Sequence, residues 1–175
     1  MKSYFLVAVL IFGMVGLSGC VQSGTGTLVM QITDAPSDLN IEKAIVTISD
    51  VEVHLAGENE SADATNETGW FTVVKEERTF DLIKIKDVRE LIGKSDLKAG
   101  KYTQVRLNIN KALVTIDGTE YDLTIPSKTV KLVRPFNIVE KQTTTLTLDF
   151  IANESIKSAG KDKYVMNPTI KVIQE

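Results

Sequence analysis

One histidine, two Ser-x-x-Lys tetrads and a dense run of carboxylates are the residues of this chain whose types and spacing could do chemistry. His54 is the only candidate imidazole for a general base or a metal ligand. It alternates with Val53 and Leu55 and shares the polar side of its strand with Glu52, so a solvated strand position is the simpler reading. Ser95-Asp96-Leu97-Lys98 and Ser158-Ala159-Gly160-Lys161 have the spacing of a serine nucleophile with a lysine base. The companion Ser-Asp-Asn and Lys-Thr-Gly are missing, as are a Gly-x-Ser-x-Gly elbow, a His-Glu-x-x-His pair and a phosphate-cradling glycine loop. No catalytic activity is expected. Residues 56–69 carry Glu58, Glu60, Asp63 and Glu67 with no basic and no large apolar residue, the composition of an exposed loop. Such oxygen density suits calcium, the one cofactor the sequence raises, although the spacing does not fit a twelve-residue EF-hand loop. Asn59, Asn66 and Asn153 each begin an Asn-x-Ser/Thr sequon and are candidate glycosylation sites.

The only cysteine, Cys20, needs a different explanation, since a lone thiol forms no internal disulfide. It follows Lys2, an apolar run from Tyr4 to Leu17 and the small pair Ser18-Gly19. That run is shorter than the roughly 17 to 25 residues of a stable membrane helix, so residues 1–19 read as a cleaved signal peptide. Leu17-Ser18-Gly19-Cys20 resembles the prokaryotic lipobox, in which the thiol takes a lipid. Two acyl chains on one cysteine hold a protein durably at a membrane where one does not. The expectation is a lipid-anchored protein on the extracytoplasmic face, with residues 20–26 as lipidated cysteine and short flexible tether and 27–175 as one domain held by its own core.

Partner classes narrow from charge and aromatic content. The chain has 20 basic and 23 acidic residues, and losing Lys2 with the signal leaves 19 against 23, a net charge of −4. Basic residues are interspersed with acidic ones, which disfavours nucleic acid. Stacking of sugar rings needs exposed aromatics, and aromatics make up 6% of the chain, leaving Trp70, Tyr121 and Tyr164 as candidate ligand contacts. For Trp70 a core position at a strand start is the competing reading. An unknown protein partner needs no special residues if it docks on a sheet edge.

The elements that must position these residues are strands. Leu28, Met30 and Ile32 alternate with polar neighbours. In the next strand the apolar face changes parity between Ile48 and Val51, predicting a β-bulge at Ser49-Asp50. Asp117-Gly118 between apolar runs predicts a tight hairpin. Asp87-Val88-Arg89-Glu90 with Gly93 predicts one short connector helix over 88–92. About nine strands and little helix favour an all-β fold, a two-sheet antiparallel β-sandwich.

Thr33-Asp34-Ala35-Pro36, Phe80-Asp81-Leu82, Leu97 with Ala99-Gly100-Lys101-Tyr102, Val105-Arg106-Leu107, Pro126-Ser127 and Leu148-Asp149-Phe150 together resemble a prokaryotic, often archaeal, lipoprotein family known as domain of unknown function 4382. The resemblance implies a prealbumin-like, or transthyretin-like, β-sandwich and brings no activity with it. Asp34, Asp81 and Asp149 are the carboxylates inside those motifs. Two or more brought together would bind a cation; the alternative is structural, with Asp34 bonding amides of its own turn and Asp149 facing outward by alternation. Tyr102 reads as a corner residue, and Arg106 as a cross-strand partner of a carboxylate. The expected function is a lipid-anchored, noncatalytic binding or adhesion module of the cell envelope. A structural envelope lipoprotein is the alternative, and a carbohydrate- or calcium-binding module the second.

Overall fold

The computed structural model describes residues 24–34, 41–56 and 69–175. Most of them are extended, because apolar residues recur at every second position and side chains at that period share a face. The strands are β1 (Thr25–Asp34), β2 (Ile41–Leu55), β3 (Gly69–Val74), β4 (Arg78–Asp81), β5 (Glu90–Lys98), β6 (Gly100–Ile116), β7 (Thr119–Thr124), β8 (Thr129–Ile138), β9 (Thr143–Phe150), β10 (Ile156–Ser158), β11 (Tyr164–Met166) and β12 (Ile170–Gln174), with one helical turn, α1 (Ala152–Ser155), after β9.

They form two sheets. The smaller has the order β12-β9-β1-β5; the larger runs β10-β11-β7-β6-β2-β3, with β4 also on β2 and β8 also on β6. Leu28, Met30, Ile32, Leu146, Leu148 and Phe150 of the first face Val46, Ile48, Val53, Val105, Leu107 and Ile109 of the second in one core. The molecule is therefore an all-β sandwich. Burying each such side chain is worth about 1.5–3 kcal/mol, so the core holds the fold without a disulfide. Most pairings are antiparallel, but β1 with β9 and β11 with β7 run parallel.

The two longest strands, β2 and β6, form the spine, and in both the parity of the buried positions changes in mid-course. On β2 the register shifts between Ile48 and Asp50, where the sequence predicts the bulge. Opposite, Ile109 and Ala112 of β6 are both buried around the exposed pair Asn110-Lys111. The two irregularities lie side by side, so both strands keep one face on the core along their whole length.

Asp117 and Gly118 take φ of 49° and 73°, the left-handed pair that a two-residue hairpin requires, joining β6 to β7. Tyr102 is a corner residue as expected: its hydroxyl donates to the Lys98 carbonyl at 3.0 Å, and its buried ring stacks on Phe136.

The helix expected over 88–92 does not form. Asp87 has φ of 59°, a left-handed turn that cannot start a helix, and Glu90 begins β5. β1 pairs Gln31 with Leu91 and Met30 with Gly93, leaving Ile92 as the extra residue of a bulge whose side chain is fully buried. Pairing to β1 and burial of Ile92 outweigh a local capping pattern worth about 1 kcal/mol. The one described helix is α1. The expected tether also shortens: Thr25 and Gly26 already pair with Lys98 and Leu97 of β5.

Candidate functional site

The outward face of the larger sheet, over β3, β2, β6 and β8, carries side chains aligned in rows by strand register. Trp70 lies opposite His54, His54 opposite Gln104, and Gln104 opposite Val133. The next row is Thr72, Glu52, Arg106 and Lys131. These positions point outward because Phe71, Val53, Val105 and Leu132 between them pack on the core. Adjacent strands stand about 4.8 Å apart, so each row is a string of neighbouring functional groups.

Trp70, on the edge strand β3, is where the contacts of this face meet. The Arg106 guanidinium lies 3.5 Å from the centroid of its ring, reaching over β2 to do so. His54 tilts against the same indole at 4.9 Å, and its Nδ1 is 3.2 Å from the Thr103 hydroxyl. Arg106 makes no hydrogen bond and no ion pair among the described residues, and its Nε is buried without a partner. The ring face thus takes the place of a counter-ion, an arrangement favourable by about 0.5–2 kcal/mol depending on desolvation. Glu52, opposite Arg106 in register, forms no ion pair with it.

A third row borders the site and is hydrogen-bonded within itself. Asp50 accepts from Ser49 Oγ and Asn108 Nδ2, both at 2.6 Å, and Asn108 Oδ1 accepts from Thr129 Oγ1 at 2.6 Å. This ladder fixes β2, β6 and β8 beside Arg106.

The aromatics expected to act together are divided. Trp70 is half-buried on the outer face, so the core reading does not hold. Tyr121 and Tyr164 pack against each other with tilted rings, centroids 5.0 Å apart, on the inner side against the core, because Tyr121 is opposite buried Val114 and Tyr164 opposite buried Leu123. Sheet alternation places them on the opposite face from Trp70.

The three motif carboxylates do not converge either. Asp34, almost fully buried, accepts the Ala152 amide at 3.0 Å on α1, across the fold, while the turn that follows it lies outside the described residues. Asp149 is on the neighbouring strand but faces outward, opposite Thr33 and Lys171. Partial burial raises its pKa while Lys171 pulls it down, and burial is the larger effect. Asp81 is in the other sheet, where Oδ1 accepts from the amides of Ala44 and Ile83, each at 3.3 Å. Among the described residues no three His, Cys, Asp or Glu side chains are grouped as metal ligands.

The remaining candidates separate in the same way. Ser95 and Lys98 lie on β5, where positions three apart point to opposite faces, so that tetrad is not assembled. Ser158 instead donates to the Gly160 carbonyl at 3.4 Å. Asn153 is exposed on α1, while Ser155 of its sequon is buried, donating to the Ile151 carbonyl and accepting from the Thr169 amide. Cys20, Asn59, Asn66 and nearly all of the acidic loop lie outside the described residues. Among those described, no helix is long and apolar enough to cross a membrane.

Arg106 was legible only as a strand residue with some cross-strand carboxylate. What would have found its role is the outward parity of Trp70 and Thr72 against Phe71 and Val73, combined with the register of β2 on both neighbours.

A family model described as Domain of unknown function (DUF4382) matches residues 25–168. No curated protein and no solved structure matches the chain.

Proposed function

The chain belongs to the DUF4382 family, and from that premise we propose a noncatalytic binding or adhesion module, lipid-anchored through Cys20 on the extracytoplasmic face of the cell membrane, whose binding surface is the outer face of β3, β2, β6 and β8. The anchor is supported by Lys2, the apolar run and Leu17-Ser18-Gly19-Cys20. The short stretch between Cys20 and β1 keeps the domain close to the bilayer, so ligands are met at the surface layer. The observation that carries the binding face is the Trp70–Arg106 stack at 3.5 Å. An outward-facing tryptophan and an arginine without an anionic protein partner are the residue types that concentrate binding energy at recognition surfaces.

The test uses the full-length, detergent-solubilised protein in thermal melts against calcium, a chelator, and panels of saccharides and envelope proteins. A ligand at a hundredfold excess over its Kd stabilises by about 2.7 kcal/mol, a shift of several degrees. The expected result is a shift with one ligand class that Trp70→Ala abolishes, and a Cys20→Ser variant that leaves the membrane fraction. A shift that survives Trp70→Ala, or none at all, overturns the binding face; membrane retention of Cys20→Ser overturns the anchor.

A further inference from the structure

We infer that the outer face of the larger sheet recognises a carboxylate-bearing saccharide, with the Arg106 guanidinium as the group that takes the carboxylate; this rests on the binding-face reading above and names its ligand class. The argument begins with the backbone. β2 is hydrogen-bonded on both sides, by β6 and by β3 or β4, and β6 by β2 and by β8 or β7. The amides and carbonyls of β2 and β6 are spent within the sheet, so between the outer strands β3 and β8 this face offers a ligand side chains only. A peptide strand adds to exposed edges through main-chain bonds, and a sheet face gives it none.

The side chains on offer are of mixed kind. Near the Trp70–Arg106 stack stand Gln104 and Thr72, which both donate and accept, and the Glu52 carboxylate, which accepts; Lys131, which donates, lies on the far side of Arg106, directly opposite it on β8. Donors and acceptors mixed across these four strands match a ligand whose hydroxyls are at once donors and acceptors. The charge requirement comes from Arg106. Its guanidinium lies over the Trp70 ring at 3.5 Å and bonds to no carboxylate of the described protein. Stacking satisfies the face of the guanidinium and leaves its outer N–H groups for an acceptor. A planar fork of that kind prefers a carboxylate, which it meets through two parallel bonds. Stacking also fixes the fork before the ligand arrives, reducing the ordering cost of binding. Arg106 on one ring face hinders a neutral sugar from stacking there, so an acidic sugar is favoured over a plain one. Of the neighbouring carboxylates, Asp50 is held by Ser49 and Asn108 and Glu52 is not paired to Arg106, while Lys131, opposite Arg106 on β8, adds a second positive charge to the site.

The experiment titrates full-length protein in detergent with polygalacturonate, neutral dextran and polyglutamate, by calorimetry or ligand-induced melt. The expected result is binding of polygalacturonate alone, weakened by salt and reduced about tenfold or more in Arg106→Gln, with Arg106→Lys recovering only part of it. Melts of each variant without ligand report folding. Should Arg106→Gln not fold, Lys131→Ala on the exposed rim reads the same site and is expected to weaken polygalacturonate alone. Equal binding of dextran, or binding indifferent to the variants, overturns the carboxylate assignment. Binding of polyglutamate in its place overturns the saccharide and leaves the binding face standing. Silence toward all three polymers overturns this inference, whereas the binding-module reading falls only if the wider panel with Trp70→Ala is silent as well.

Discussion

The carboxylate of Asp34, the last residue of β1, accepts the backbone amide of Ala152 at 3.0 Å, joining positions 118 residues apart in sequence. α1 has no side-chain cap of its own at Ile151, so this remote carboxylate does the capping. It ties the central strand of the smaller sheet to the turn that leads from β9 into the larger one. Asp34→Ala leaves a buried amide without its acceptor and is expected to cost about 1–3 kcal/mol, with Asp34→Asn milder, read as a shift of the urea midpoint at unchanged slope.

Trp70 and Arg106 should prove coupled in stability. Trp70→Ala, Arg106→Ala and the double variant form a cycle whose interaction energy is expected at about 0.5–2 kcal/mol. A coupling of zero would mean the stack contributes nothing in solution.

Alkaline pH should expose Tyr102. Burial raises its pKa from 10.0 to about 12. Between those values the unfolded chain has lost the phenolic proton and the folded one has kept it, so stability is intact below pH 10 and falls as pH rises toward 12. Tyr102→Phe should remove that part of the alkaline loss, at a cost of about 1 kcal/mol at neutral pH for the bond to Lys98. Melts at several pH values from 8 to 12 compare the two slopes.

Asp149 bears on the cation reading. Its raised pKa means that folding disfavours the ionised carboxylate, a penalty present at neutral pH and relieved as pH falls through the folded pKa. Asp149→Asn is therefore expected to melt at the same or a higher temperature than the parent at pH 7, the difference vanishing in acid. A lowered Tm in calcium but not in chelator would instead make Asp149 a ligand.

Gly26 is a close-packing position. A Cβ built there would run into the Val139 carbonyl oxygen and stand 2.9 Å from Ile138 Cγ2. Backbone cannot give way cheaply, so Gly26→Ala is expected to destabilise by about 1–3 kcal/mol in denaturant unfolding.

Local pattern by itself determined the strand-rich character, the hairpin at Asp117-Gly118, the bulge at Ser49-Asp50 and the corner at Tyr102, because each depends on side-chain period or on the φ preferences of one or two residues. It also set the parity of each strand, and with it the outward turn of His54 and Glu52. Tertiary structure alone decided which strands are neighbours, and that choice assigned the rest. Residues 88–92 had the signature of a helix until β1 offered Leu91 and Gly93 partners and the core took Ile92. Tyr121 and Tyr164 were indistinguishable from Trp70 until their pairing placed them on the inner face. Asp34 and Asp149 sit in similar motifs, yet one points into the core and the other out of it, since adjacent strands were paired Asp34 to Phe150 and Thr33 to Asp149. Arg106 reached Trp70 only across a third strand, a relationship between residues 36 positions apart that depends on the registers of β3 and β6 on β2 together. Register is a long-range quantity: a slip of one residue on β2 would exchange the two faces and bury the site.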